Sequence, residues 1–278
     1  MVKNLLKIIV IVITLIAYIT LVSCEDVIDV DLETAAPRLV VEASIKWQKG
    51  TTGNNQSITL STTAGFYENS VPIVQGATVF VTNEDNVVFD FIEIPSGGIY
   101  NCTNFIPEID KSYTLTVLYN SETYTATEIL KDVPTIDSVE QTEDGGFTGS
   151  EKEVKFFFQD NGLVANFYLE QYTSTFTTLP EYDVSRDFFF QGNQMFGLYT
   201  NEDMKADEEL TFSLQGISEN YYNYMNILLG VSGNNGGGPF QTPPATVRGN
   251  IVNQTNFNNF ALGFFRLSEI DTFVYTVQ

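Results

Sequence analysis

Thirty-five carboxylates and not one imidazole set the chemistry open to this 278-residue chain. Without His there is no Ser-His-Asp or Cys-His catalysis, no His-ligated zinc and no His-based pH switch. Two acids alone can hydrolyse a glycoside, one as acid and the other as base or nucleophile. Asp160, Asp187, Glu202 and Asp203 fall near predicted strand ends, but solvated turns put acids there too, and among 35 acids any pair is expected by chance. Calcium suits hard oxygen ligands, yet no Asp-x-Asp-x-Asp-Gly loop occurs. The expectation is no catalytic residue, no metal and no cofactor.

The remaining candidates bind rather than react. Arg248 follows Thr242-Pro243-Pro244, whose prolines fix φ, and is the cation to watch, either for an internal salt bridge or for a ligand carboxylate. The run Ser232-Gly233-Asn234-Asn235-Gly236-Gly237-Gly238-Pro239 is a connector, not a phosphate cradle, because it follows a helix and carries no Lys. Phe156-Phe157-Phe158 and Phe188-Phe189-Phe190 read as strand segments whose middle ring points away from its neighbours. Either both faces of the sheet are covered, or Phe157 and Phe189 offer an exposed platform to a sugar, a peptide or a receptor. A formal charge of −22 argues against a grip on nucleic acid or on anionic lipid, both of which need Lys and Arg on phosphate.

The N-terminus reads as an address. Lys3 and Lys7 precede an uncharged run from Ile8 to Val22. As a helix that run would span only ~22 Å, short of the ~30 Å hydrocarbon core, which suits a secretory signal better than a membrane span. It ends in Leu21-Val22-Ser23-Cys24, which resembles a bacterial lipobox, so Cys24 is the expected lipidation site. The alternative is an uncleaved signal anchor with an incidental Cys. Residues 1–23 are thus the signal peptide and 24–36 an acidic tether carrying Glu25, Asp26, Asp29, Asp31 and Glu33. With Cys24 acylated, Cys102 has no disulfide partner and reads as a small core residue.

The elements that must position these groups are strands. Between Leu39 and Thr127 seven short segments alternate apolar and polar residues: Leu39–Ile45, Ser57–Thr62, Ala77–Thr82, Val87–Ile92, Ile99–Thr103, Tyr113–Val117 and Thr123–Thr127. With turn clusters between them, they argue for an antiparallel β-sandwich over 37–132. Pro134 breaks the pattern at Lys131–Asp137, and a second β-rich domain is expected over 137–278. Its strands are Val154–Asp160, Asn166–Tyr172, Glu209–Leu214, Leu262–Phe265 and Thr272–Val277. One helix is predicted there, capped by Ser218, striped by Tyr221, Tyr222, Met225, Leu228 and Leu229, and stopped by Gly230. Its stripe should dock on the second sheet.

At Cys24–Asp31, Pro37–Glu42, Phe157–Asp160, Asn166–Tyr168, Gly238–Ile251 and Ala261–Phe265 the chain resembles two-domain Bacteroidota lipoproteins built on a domain of unknown function, number 4249. Gly76–Val79, Gly98–Tyr100 and Tyr113–Leu115 also resemble the immunoglobulin-like regulatory sandwiches found beside carboxypeptidases and at the N-termini of TonB-dependent receptors. The resemblance implies export of the acidic tether to the outer face of the outer membrane, and a role as an accessory to a TonB-dependent receptor in nutrient uptake. Asp137-Ser138-Val139 also resembles the acidic-Ser/Thr-apolar acceptor pattern for O-glycans in that phylum, with Ser138 as the acceptor. The alternatives are a surface glycan hydrolase using two carboxylates and a purely structural envelope lipoprotein.

Overall fold

A computed structural model describes residues 3, 7, 11, 36–65, 68, 70–95, 97–146, 149–232 and 247–278. Cys24, nearly all of the acidic tether and the segment 233–246 lie outside the described residues. Met1–Ala36 and Pro37–Gln278 are separate compact units, and the second carries the β fold. It holds all the strands and all three hydrophobic clusters, so a chain beginning at Pro37 carries its own core.

The protein is mainly β, with one docked helix. The seven expected strands of the first half are β1 Leu39–Gln48, β2 Gln56–Thr62, β3 Thr78–Asn83, β4 Val88–Ile94, β5 Ile99–Cys102, β6 Ser112–Tyr119 and β7 Glu122–Ile129. Period-two burial explains the assembly: Val41, Ala43 and Ile45 of β1 face inward against Val79, Val81, Leu115 and Val117. Strand β4 belongs to both layers. Its Val88–Phe91 stretch pairs with β3, and Ile92–Ile94 pairs with β5. Asn120 and Ser121 both take positive φ between β6 and β7, which gives a two-residue turn whose twist matches a hairpin.

The second half follows as β8 Ile136–Gly145, β9 Glu151–Gln159, β10 Phe167–Ser174, β11 Glu181–Arg186, β12 Gln194–Thr200, β13 Glu209–Ile217, helix α1 Glu219–Val231, β14 Val252–Asn253 and β15 Leu262–Thr276. The two terminal strands expected at Leu262–Phe265 and Thr272–Val277 are one continuous strand. Its first part lies parallel to β1 from Val40↔Leu262 to Gln48↔Ile270, and its second part lies antiparallel to β13. A parallel pair thus sits inside an otherwise antiparallel sheet of order β11-β10-β13-β15-β1-β2-β5-β4-β3-β6-β7-β14. Gly263 makes the approach possible: its φ is +90°, and a Cβ there would lie 2.0 Å from the Val41 carbonyl oxygen.

Strands β12-β9-β8 form a separate three-stranded sheet over one face of β10, β13 and the end of β15. Phe156, Phe158, Tyr168, Tyr172 and Phe212 fill the space between them, with ring centroids 5.0–6.2 Å apart along the chain of contacts. The segment Lys131–Asp137 runs along β15. Glu269 Oε2 accepts from Val133 N (3.1 Å) and Lys49 Nζ (2.7 Å), and Asp271 Oδ2 accepts from Ile136 N (2.8 Å).

Helix α1 packs on the opposite face of β10 and β15 through Tyr221 and Met225. Ser218 caps it, its Oγ accepting from Tyr221 N at 3.2 Å. Gly230 does not end the helix. It stays inside, and the cap falls at Ser232, whose N–H reaches the Leu228 carbonyl at 3.0 Å. Ser218→Ala removes the acceptor for one orphan N–H and is expected to cost about 1 kcal/mol, read as a lower urea midpoint at unchanged slope.

Candidate functional site: a cationic groove beneath helix α1

Alternation along β1 and β15 sends two sets of side chains to opposite faces. Ala43, Ile45, Phe265 and Leu267 enter the sandwich core, while Glu42, Ser44, Lys46, Phe264, Arg266 and Ser268 face α1. The parallel register sets Ser44 beside Arg266 and Lys46 beside Ser268. The helix covers only part of this face. Tyr221 and Tyr224 both pack on the Phe264 ring, each with centroids 4.9 Å apart. An open groove of about 790 Å³ remains, lined by Glu42, Ser44, Lys46, Gln56, Tyr224 and Phe264 among others.

Arg266 stands behind the Ser44 wall of this groove. It is 5% exposed, its Nε donates to Ser44 Oγ at 3.2 Å, its Nη1 donates to Ser268 Oγ at 2.9 Å, and its guanidinium carbon sits 5.0 Å from the Tyr221 ring centroid. No carboxylate among the described residues lies within ion-pair distance of it. Two hydroxyls and a ring do not neutralise a buried guanidinium, so its charge acts on its neighbours, Lys46 among them. Lys46 is exposed overall, yet the groove walls take enough water from its ammonium to lower its pKa, and the Arg266 charge lowers it further. Lys46 lines the groove with Glu42 as the one acid of the lining, and Arg266 lies behind it, near enough for its charge to act on Lys46. Gln215 Oε1 on the same face is buried and finds no donor among the described residues.

The same pattern holds for every Arg of the chain. Arg38, Arg186, Arg248 and Arg266 all lie over aromatic rings, and among the described residues only Lys forms ion pairs with acids. Arg248 lies outside the groove lining. Its guanidinium carbon is 3.7 Å from the Phe260 centroid and that of Arg38 is 3.8 Å away, so the two must take opposite faces of one ring. Neither pairs with a carboxylate among the described residues.

The aromatic triplets separate. Phe156 and Phe158 are core, and Phe157 is half-buried on the outer face of the three-stranded sheet, its ring 6.0 Å from Phe196. Ser138 is exposed within β8, directly opposite Phe157. Phe188-Phe189-Phe190, expected as strand, forms a turn after β11 instead. Phe190 N bonds the Asp187 carbonyl (2.6 Å), Asn193 N bonds that of Phe190 (2.7 Å), and Gly192 takes φ +73°. Asp160 and Asp187 are buried in holding this turn, whereas Glu202 and Asp203 are exposed on another turn. Asp160 Oδ1 accepts from Tyr168 OH (2.6 Å) and Oδ2 from Gly192 N (2.8 Å), and Asp187 Oδ2 accepts from Asn166 N (2.8 Å). Cys102 is buried in β5, and burial pushes its thiol pKa up. No helix among the described residues is long and apolar enough to cross a membrane.

Sequence reasoning passed over Lys46 and Arg266. The signal was present in the alternation Phe264-x-Arg266-x-Ser268, which sets the Arg on the face opposite Phe265 and Leu267.

A search of the curated proteins finds no match to this chain. Among solved structures, a DUF4785 family protein from Legionella pneumophila is 11% identical with a TM-score of 0.25, over 66% of this chain and 54% of that one. The chain therefore spans about half the length of that protein. A two-domain fibronectin type III segment of chicken tenascin is 8% identical, TM-score 0.22, over 65% of this chain and 90% of that one. A cytokine receptor complex is 8% identical, TM-score 0.24, over 64% and 82%. The model of the family described as "Domain of unknown function (DUF4249)" matches residues 25–273, and the chain belongs to that family.

Proposed function

We propose that this protein is a binding subunit rather than an enzyme, and that the groove beneath α1 takes the carboxylate of an organic ligand with an apolar body. The observation that carries the reading is Arg266, a buried cation with no acid to meet it, set behind a groove that Lys46 lines. A Lys in the lining with an Arg close behind it suits a carboxylate, and Tyr224, Met225, Leu228 and Phe264 suit the apolar remainder. The acids that could have formed a hydrolytic pair, Asp160 and Asp187, are already engaged by backbone and Tyr donors. In the cell we place the protein at the outer membrane, facing outward, anchored by lipid at Cys24 and serving a TonB-dependent receptor. Support for that placement comes from the lipobox-like Leu21–Cys24 and the acidic residues after it. Labelled palmitate should enter the wild type and not Cys24→Ala, and a β-barrel receptor should co-purify from detergent-solubilised envelopes.

Calorimetry on Pro37–Gln278 with 3-phenylpropionate and its neutral amide tests the groove. The acid should bind and the amide should not, with Lys46→Gln and Arg266→Gln each weakening the acid about tenfold. Lys46 is exposed and Arg266 is buried, so the Lys46 variant tests the groove without touching the packing around Arg266. Equal binding of acid and amide, or no effect of Lys46→Gln, would remove the assignment.

A further inference from the structure

Two loops meet at one end of the second half. Loop 160–166 leads into β10 and loop 187–193 leaves β11, and they touch so closely that a Cβ on Gly162 would lie 2.8 Å from the Gly192 Cα. With its amide nitrogen turned toward them, Asn166 Nδ2 donates to the carbonyls of Asn161 (3.1 Å) and Val164 (3.0 Å). Onto this braced frame the chain sets five exposed apolar side chains: Leu163 (88% exposed), Val164, Phe188, Phe189 (83% exposed) and Phe190. We propose that this tip is a membrane-contact surface that dips into the interfacial layer of a zwitterionic bilayer.

Charge supports the choice. In a chain of 35 acids, the exposed stretches 161–165 and 188–194 contain no ionisable side chain. The two acids adjoining them, Asp160 and Asp187, are turned inward to hold Tyr168, Gly192 and Asn166. Arg186 alone stands charged and exposed at the rim, 5.3 Å from the Phe188 ring centroid, where a lipid phosphate could meet it. Burying a carboxylate at the head-group boundary is costly, and the tip carries none. The formal charge of −22 excludes an anionic surface as the target and leaves a neutral one.

Topology gives the direction. β1 runs parallel to β15, β15 antiparallel to β13, β13 antiparallel to β10, and β10 antiparallel to β11. The start of β10 and the end of β11 therefore point the same way as the start of β1 but are staggered from it: Leu169 pairs with Gln215, Gln215 with Ile270 and Ile270 with Gln48, so the tip extends from the level of the last residues of β1.

The test dispenses with the tether. Pro37–Gln278 carrying F189W is mixed with phosphatidylcholine vesicles, with and without lipids brominated near the top of the acyl chain, against the parent containing only Trp47. The substituted position is exposed, so the core is untouched. The F189W indole emission should shift blue and be quenched by brominated lipid, the protein should float with the vesicles, and adding Leu163→Asp should weaken that partition about tenfold. Unshifted emission at millimolar lipid would overturn the proposal. A shift produced only by detergent-solubilised membrane proteins would also overturn it and make the tip a protein contact. Since the fragment lacks Cys24, either failure leaves the anchor to be judged separately by palmitate labelling, and the groove by calorimetry.

Discussion

Asp160→Ala is expected to destabilise the protein by roughly 3–5 kcal/mol, the largest effect we anticipate for a single polar side chain. Asp160 is 4% exposed and serves two donors that have no other partner among the described residues, the Tyr168 hydroxyl at 2.6 Å and the Gly192 N–H at 2.8 Å. Removing the carboxylate strands the hydroxyl of a fully buried Tyr and releases the Gly192 end of the Phe188–Phe190 turn. Tyr168→Phe removes only one donor and should cost about 1–2 kcal/mol. Urea denaturation gives the magnitudes, and limited proteolysis gives the location: cleavage at Phe188–Gln191 should accelerate in Asp160→Ala well before global unfolding. A loss under about 1 kcal/mol would mean that water replaces the carboxylate and that the turn holds itself.

The second large effect concerns Glu170, which is 3% exposed beneath β12, where a Cβ on Gly197 would come within 2.7 Å of its Oε2. Burial pushes its carboxyl pKa up to about 7 from 4.5, against the opposing influence of hydrogen bonds from Tyr172 OH (2.6 Å) and Ser185 Oγ (2.7 Å). Between those two values the folded protein keeps a proton that the unfolded chain has released. Stability from this group is therefore full below about pH 4.5 and falls as pH rises through 7, by about 3 kcal/mol in all. Glu170→Gln has no proton to lose. Its stability relative to the wild type should rise by about 3 kcal/mol between pH 4.5 and 8. Glu128, whose pKa burial also raises, is present in both proteins and cancels from the comparison. Urea midpoints at pH 4.5, 6 and 8 read the difference, and parallel pH profiles for the two proteins would refute it.

The first half of the chain was legible because its strands are half-buried. Val41, Ala43 and Ile45 alternate with polar neighbours, so period two announces both the strand and its inner face. The second half hid four strands. β8, with the pattern Ile136-Asp137-Ser138-Val139-Glu140, is mostly exposed, and β11 carries Glu181, Asp183 and Arg186, so neither shows an apolar period. β12 exposes Phe196 and Leu198 and breaks at Gly197, and β14 has only two residues. Phe188–Phe190 misled in the other direction, since β-propensity reads three rings as strand while two buried acids and a positive-φ Gly bend them into a turn.

From its residues alone the chain declared a mainly β protein with one docked helix begun at Ser218, because alternation and capping are local and survive translation into three dimensions. The parallel union of β1 with β15, the burial of Arg266 beside Lys46, and the gathering of Leu163 with Phe189 were decided by tertiary structure. Each joins residues far apart in sequence, and the energy that selects such a pairing comes from surfaces brought together only in the folded chain.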